Sequence, residues 1–165
     1  MGFLEPHGRG RRLFRRDELS GQSPAIIIYS LAHAVAALTA AAEAVRPVTL
    51  ASAPDAGIYA GPGWFGALVA AARAAVPAAQ CAALIDCGDD AGAAQAAIRT
   101  GIEGIVFTGR ADVAERLADI AGRRGVRLLT ERPAPALDLG MEFFASPETL
   151  RRRCVDILAS TPAFC

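Results

Sequence analysis

Short aliphatic runs alternate along this chain with longer, alanine-rich stretches of helical period. Ala25, Ile26, Ile27, Ile28 and Tyr29 form a run that is apolar on both faces and β-branched at its centre, as in a strand covered on two sides. Leu31, Val35, Leu38 and Val45 then recur at helical spacing and predict one face of a helix ending before Arg46 and Pro47. Residues 48–53 predict a second strand, and Trp64, Leu68 and Ala72 open a second helix that stops near Pro77. The same unit returns downstream: strands over 81–87, 104–108 and 126–130, and helices over 91–100 and around Val113, Leu117 and Ile120. On that last helix Asp112/Arg116 and Asp119/Arg123 are i,i+4 pairs on the polar side, and Gly125 ends it. Strand starts near 25, 48, 82, 104 and 126 recur about every 22 residues, except where residues 54–63 enlarge the second unit.

That rhythm predicts an α/β fold, a parallel five-stranded sheet joined by helices, as a single domain over residues 24–160. A flavodoxin-like three-layer arrangement is the first expectation, and half of a β/α barrel is the alternative. Leu137, Leu139, Met141 and Phe143 alternate with Asp138, Gly140 and Glu142, which predicts an extra short strand with one wet face over 137–143. Ser146, Pro147 and Glu148 then open a last helix with Leu150, Cys154 and Ile157 inward. Residues 1–23 read as a mobile, arginine-rich tail.

Composition narrows the chemistry. Of 165 residues 53% are hydrophobic but only 6% aromatic, so the core is aliphatic, and the alanine excess falls in the helices that cover the sheet. Lysine is absent, which excludes a Schiff-base lysine and a P-loop lysine. Seventeen arginines balance 17 carboxylates, so general nucleic-acid binding lacks its usual basic footprint. Cys81, Cys87, Cys154 and Cys165 form no C-x-x-C pair and have no histidine at metal spacing, which points to thiols in a reducing cytoplasm and to no metal site. Arg11 and Arg12 followed by the apolar run from Ala25 resemble an export signal, but Arg15, Arg16, Asp17 and Glu18 intervene, so neither export nor membrane insertion is expected.

In parallel α/β sheets ligands gather beyond the carboxyl ends of strands. The polar residues there include Ser30 and His33, Ser52 and Asp55, Asp86 to Asp90, Thr108 and Arg110, and Thr130 to Arg132. Asp89, Asp90 and Asp112 equally suit first turns of helices. Asp86 beside Cys87 suggests a nucleophile with His33 as its base, although no spacing links them, and a lone histidine in an apolar helix is more often structural. Gly61, Gly63 and Gly66 match G-x-G-x-x-G, but seven residues separate them from the second strand, so a loop opening a helix fits better than a nucleotide site. Tyr59 and Trp64 in the insertion stand ready either to cover a ligand or to fold back on the sheet edge.

Residues 104–133 resemble the second half of response-regulator receiver domains, with Thr108 at the switch threonine and Asp86 at the phosphoacceptor. Glu131 or Arg132 stands where that family has its lysine, no acidic pair ends the first strand, and phosphotransfer is not carried over. Residues 96–106 are similar to a helix-to-strand unit of sugar-phosphate aldolase and isomerase barrels, which need eight units where this chain has about five.

The resulting expectation is a cytoplasmic, non-catalytic binding or regulatory module without cofactor. It would bind a small anionic or phosphorylated metabolite, with Asp86, Arg110, Arg132, His33, Tyr59 and Trp64 as candidate ligand-binding residues. Self-association through residues 137–143 would make it a homodimer. The alternatives are a small lyase or isomerase using Asp86, His33 or Glu131 as acid and base, and a structural or assembly protein.

Overall fold

The computed structural model describes residues 23–161; residues 1–22 of the expected tail, and Cys165, lie outside them. The elements in chain order are β1 (Ala25–Ile28), α1 (Leu31–Ala44), β2 (Val48–Ser52), α2 (Ala56–Tyr59), α3 (Pro62–Ala75), β3 (Cys81–Asp86), α4 (Ala91–Thr100), β4 (Gly104–Val106), α5 (Ala111–Arg123), β5 (Arg127–Leu129), β6 (Leu137–Asp138), a 3-10 turn (Gly140–Glu142) and α6 (Pro147–Ser160). Ser146 and Asp90 cap their helices as the sequence suggests, accepting from the Thr149 and Ala93 N–H groups, and Ser30 likewise accepts from the His33 N–H.

The six strands form one parallel sheet in the order β5-β4-β3-β2-β1-β6. Neighbouring side chains on a strand point to opposite faces. Ile26, Ile28, Leu50, Ile85 and Ile105 share a core with buried residues of all five long helices, while Ile27, Ala51, Leu84, Val106 and Leu129 form a separate apolar group on the other face. The helices therefore line one face in strand order, α5, α4, α3, α1, α6, each packed on the next.

The parallel α/β sheet is as expected, but its order corrects the flavodoxin-like expectation, which interleaves β1 between β2 and β3 and covers both faces. Consecutive strands with helices outside are the arrangement of a barrel segment, and β6 adds a strand on the far side of β1. Runs that are apolar on both faces have a different cause than two helical layers. The connection from β5 to β6, residues 130–136, lies across the helix-free face, where Pro133 and Pro135 line a small space together with Ala25, Ile27, Ala51, Leu84 and Val106.

The geometry of that strap is tight. Eight residue steps from Leu129 to Leu137 reach roughly 26–29 Å when extended, and five strand spacings of a flat sheet measure about 24 Å. The strap also drops three register levels, because Leu129 lies level with Val106 and Asp86, and Leu137 with Ile26, Leu50 and Ala83. Little slack remains for a helix, and the chain crosses extended.

Three further expectations need correction. The alternating segment 137–143 pairs only at Leu137 and Asp138, because Asp138 Oδ1 accepts the Gly140 N–H at 2.8 Å and turns the chain into the 3-10 turn. On α1, Val45 is 89% exposed in a left-handed cap and Leu31 is exposed, so the buried face is instead His33, Ala34, Ala37, Leu38 and Ala41. On α5, Ile120 is exposed and Ala114, Leu117 and Ala121 are buried, and Asp112 binds Arg110 through two 3.0 Å bonds while Asp119 pairs with Arg123 as expected.

Candidate functional site at the carboxyl edge of the sheet

Asp86 ends β3 on the helix-free face, level with the upper end of the strap, and is 5% exposed. Its backbone N–H donates to Ser52 Oγ at 2.9 Å, which ties the ends of β2 and β3 together. Its carboxylate accepts four hydrogen bonds, three on Oδ1 and one on Oδ2. Oδ1 accepts the backbone N–H groups of Asp55 at 3.1 Å and Gly88 at 2.9 Å, and the Arg132 guanidinium donates to Oδ2 at 2.5 Å and to Oδ1 at 3.2 Å. Arg132 Nη2 also donates to Asp55 Oδ1 at 2.8 Å, so one guanidinium bridges two carboxylates. These bonds raise the Arg132 pKa above its ordinary value, the Asp86 hydrogen bond most of all. Nη1 keeps no bond among the described residues.

The backbone around this cluster is unusual. Asp55 caps the short helix α2 in the left-handed region, at φ 59°, where aspartate is among the better-tolerated residues. Gly88 stands at φ 53°, and a Cβ there would lie 2.3 Å from Asp55 Oδ1. Only glycine allows the two loops to meet.

Two spaces flank the strap. Beneath it is a small cavity of about 40 Å³, walled by Ile27, Ala51, Leu84 and Val106 and bordered above by Asp86, Arg132 and the prolines. That is room for one or two waters, not for a metabolite. Beside it opens a cleft of about 630 Å³, edged by Arg127 and Arg132, Glu131 and the hydroxyl-bearing Thr49 and Thr161. Its volume lies within the usual range of small-molecule sites. Arg132, Leu84, Ala25, Pro133 and Pro135 border both.

Of the candidate residues, the structure joins Asp86 and Arg132 directly. Tyr59 is 68% exposed, yet burial and then the carboxylates of Asp55 and Asp86 raise its phenol above the ordinary value, so it stands within their field without lining either space. Trp64 is 47% exposed on α3 and lines neither space. The segment 54–63 carries the short helix α2, and its Asp55 binds both Asp86 and Arg132. Arg110 is a solvated partner of Asp112, apart from Asp86. His33 is fully buried in the first turn of α1, its Nδ1 accepting the Tyr29 N–H at 3.2 Å and its ring edge-on to Tyr29 and Phe143. Burial holds its imidazole below the ordinary histidine value, against the opposing influence of Glu142 and Asp138. Cys87 points into the helix-side core, where burial pushes its thiol up to about 12; it is no nucleophile near neutrality. Among the described residues no group of His, Cys, Asp or Glu is placed to hold a metal ion.

Two contributors escape sequence reasoning as site residues. Asp55 follows the second strand and was visible only as one polar residue among many at strand ends. Arg127 begins β5, at the opposite end from where ligands are sought, and reaches the cleft only because the strap descends past it.

No protein-family model matches the sequence, and no curated protein does. Among solved structures the chain is similar to the crystal structure of a "putative fructose-1,6-biphosphate aldolase from Coccidioides immitis", with a TM-score of 0.54 and 20% identity over 68% of this chain. The match spans 42% of that protein's length. At this identity the likeness concerns the fold, and it agrees with the barrel-segment order of the strands.

Proposed function

We propose that this protein is a non-catalytic binding or regulatory module whose ligand is a small anionic or phosphorylated metabolite, held in the cleft beside the strap. The observation that carries this reading is the cleft of about 630 Å³ edged by Arg127 and Arg132. Asp86 and Asp55 hold Nε and Nη2 of Arg132 in place, so its third nitrogen is oriented before a ligand arrives. Thr49 and Thr161 also border the cleft, their hydroxyls bonded to Ser23 and to the Ile157 carbonyl. Among the described residues no helix is long and apolar enough to cross a membrane; a cytoplasmic setting is part of this proposal. Isothermal titration with inorganic phosphate and a small phosphate ester tests it. Binding that falls about tenfold or more in Arg132→Gln and Arg127→Gln is the expected result, and flat titrations would remove the anion.

A second reading, a small lyase or isomerase on a sugar-phosphate-like substrate, is favoured by the fold shared with the Coccidioides immitis protein. It requires its acid and base at one pocket. Asp86 lines the small space beneath the strap, Glu131 lines the cleft, and His33 lines neither. Both Asp86 oxygens are also engaged by the Arg132 guanidinium, which ties this carboxylate to the strap. Incubation with fructose 1,6-bisphosphate is expected to give no cleavage; turnover lost in Asp86→Asn would reverse the order of the two readings.

A further inference from the structure

Residues 130–135 make no backbone hydrogen bond among the described residues, and Pro133 and Pro135 have no N–H to offer. The strap is pinned at its lower end by Ala136 N–H on the Ala25 carbonyl at 2.8 Å, and at its upper end by the Arg132 side chain on Asp86 and Asp55. Between these points it covers a cavity of about 40 Å³ that it does not fill. The contacts that hold it are therefore few and polar, whereas the sheet below is tied by strand pairing and by the helical layer.

We propose that residues 130–136 open as a unit, with Arg132 as the latch, and that an anion in the cleft clamps them shut. The clamping half rests on the anion-binding reading above. Its direction follows from where the cleft's walls belong: Arg132 is carried by the strap and Arg127 by β5. Lifting the strap separates the two arginines, so a ligand that uses both binds the closed form better and shifts the population toward it.

The experiment places a thiol under the strap. Ala51 is 7% exposed on the helix-free face, and the sulfur of Ala51→Cys fits the cavity above it. Labelling of the full chain with a maleimide under native conditions, resolved by peptide mass spectrometry, follows that thiol against Cys87, which is fully buried on the helix side and reports global unfolding. The thiol at position 51 is expected to label faster than Cys87, and faster again by about tenfold or more when Arg132→Gln is added. Asp55→Asn, which removes the more exposed carboxylate and suits the left-handed backbone, is expected to give a smaller acceleration in a protein whose Asp86 bonds are intact. Inorganic phosphate at ten times its dissociation constant slows labelling about tenfold in the Arg132 protein and not in Arg132→Gln. Equal rates for the two thiols in every variant would overturn the strap. Phosphate that binds by calorimetry but leaves the rate unchanged would overturn the clamp, whereas absent calorimetric binding would remove the anion reading itself.

Discussion

Gly57 and Gly88 are glycines because of what stands against them. A Cβ on Gly57 would lie 2.8 Å from Cys87 Sγ and 3.0 Å from the Asp86 carbonyl, and neither neighbour is a side chain with room to swing away. Gly57→Ala is expected to cost about 1–3 kcal/mol in urea denaturation, the usual penalty for overpacking. Cys87 makes a separate prediction. With its thiol pushed up to about 12 and that of Cys154 to about 11, both by burial, the folded protein at pH 8 should leave these two unmodified by iodoacetamide while half-buried Cys81 reacts. Reaction of Cys87 at the rate of Cys81 would contradict the packing of α2 and α3 over β3.

At the scale of elements, the strap and β3 meet through one carboxylate. Asp86→Ala strands the Arg132 guanidinium and two backbone N–H groups, and is expected to lower stability by about 1–3 kcal/mol, less than a fully buried pair because Arg132 is partly solvated. Asp86→Asn keeps an oxygen for the Asp55 and Gly88 N–H groups and should cost less; equal losses would mean that these two N–H bonds contribute nothing. The turn from β1 into α1 is sensitive to acid. His33 is held neutral in the fold, while in the unfolded chain it titrates near 6.5. Below about pH 6.5 the unfolded state takes up a proton that the folded state refuses, so stability falls with pH by at most about 1.4 kcal/mol per unit from this group. Protonation at Nδ1 would also end the bond from the Tyr29 N–H. Urea midpoints at pH 7.5, 6 and 5 should converge between the parent and His33→Gln, and parallel curves would exclude the histidine.

At the scale of the molecule, a six-stranded sheet with helices on one face leaves two strand edges, β5 and β6, unpaired among the described residues. Beyond β6 the side chains of Met141 and Phe144 are each 96% exposed, beside half-exposed Phe143. We propose this corner, residues 137–144, as the self-association surface, since adjacent exposed apolar groups of this size commonly mark contacts. Light scattering at high micromolar concentration is expected to give a dimer that Met141→Ser with Phe144→Ser returns to monomer; a monomer throughout would remove it. The fold itself was half legible in advance. Five of the strand positions and the long helices follow from apolar period and caps, whereas the seven-residue strand expected at 137–143 shrank to two because Asp138 and Gly140 form a local turn that alternation does not reveal.

What the sequence determined by itself was the succession of strands and helices, the alanine-lined helix faces and the absence of lysine chemistry. Each is written within a dozen neighbouring residues or in the composition. What only the tertiary structure decided was the side of the sheet that the helices cover, the neighbour of β1, and the union of Asp86 with Arg132 across 46 positions. Strands that are apolar on both faces carry no mark of which face meets a helix. Here one face meets helices and the other a strap of prolines, and the strap's latch exists only once strand pairing has brought the end of β5 to the level of Asp86.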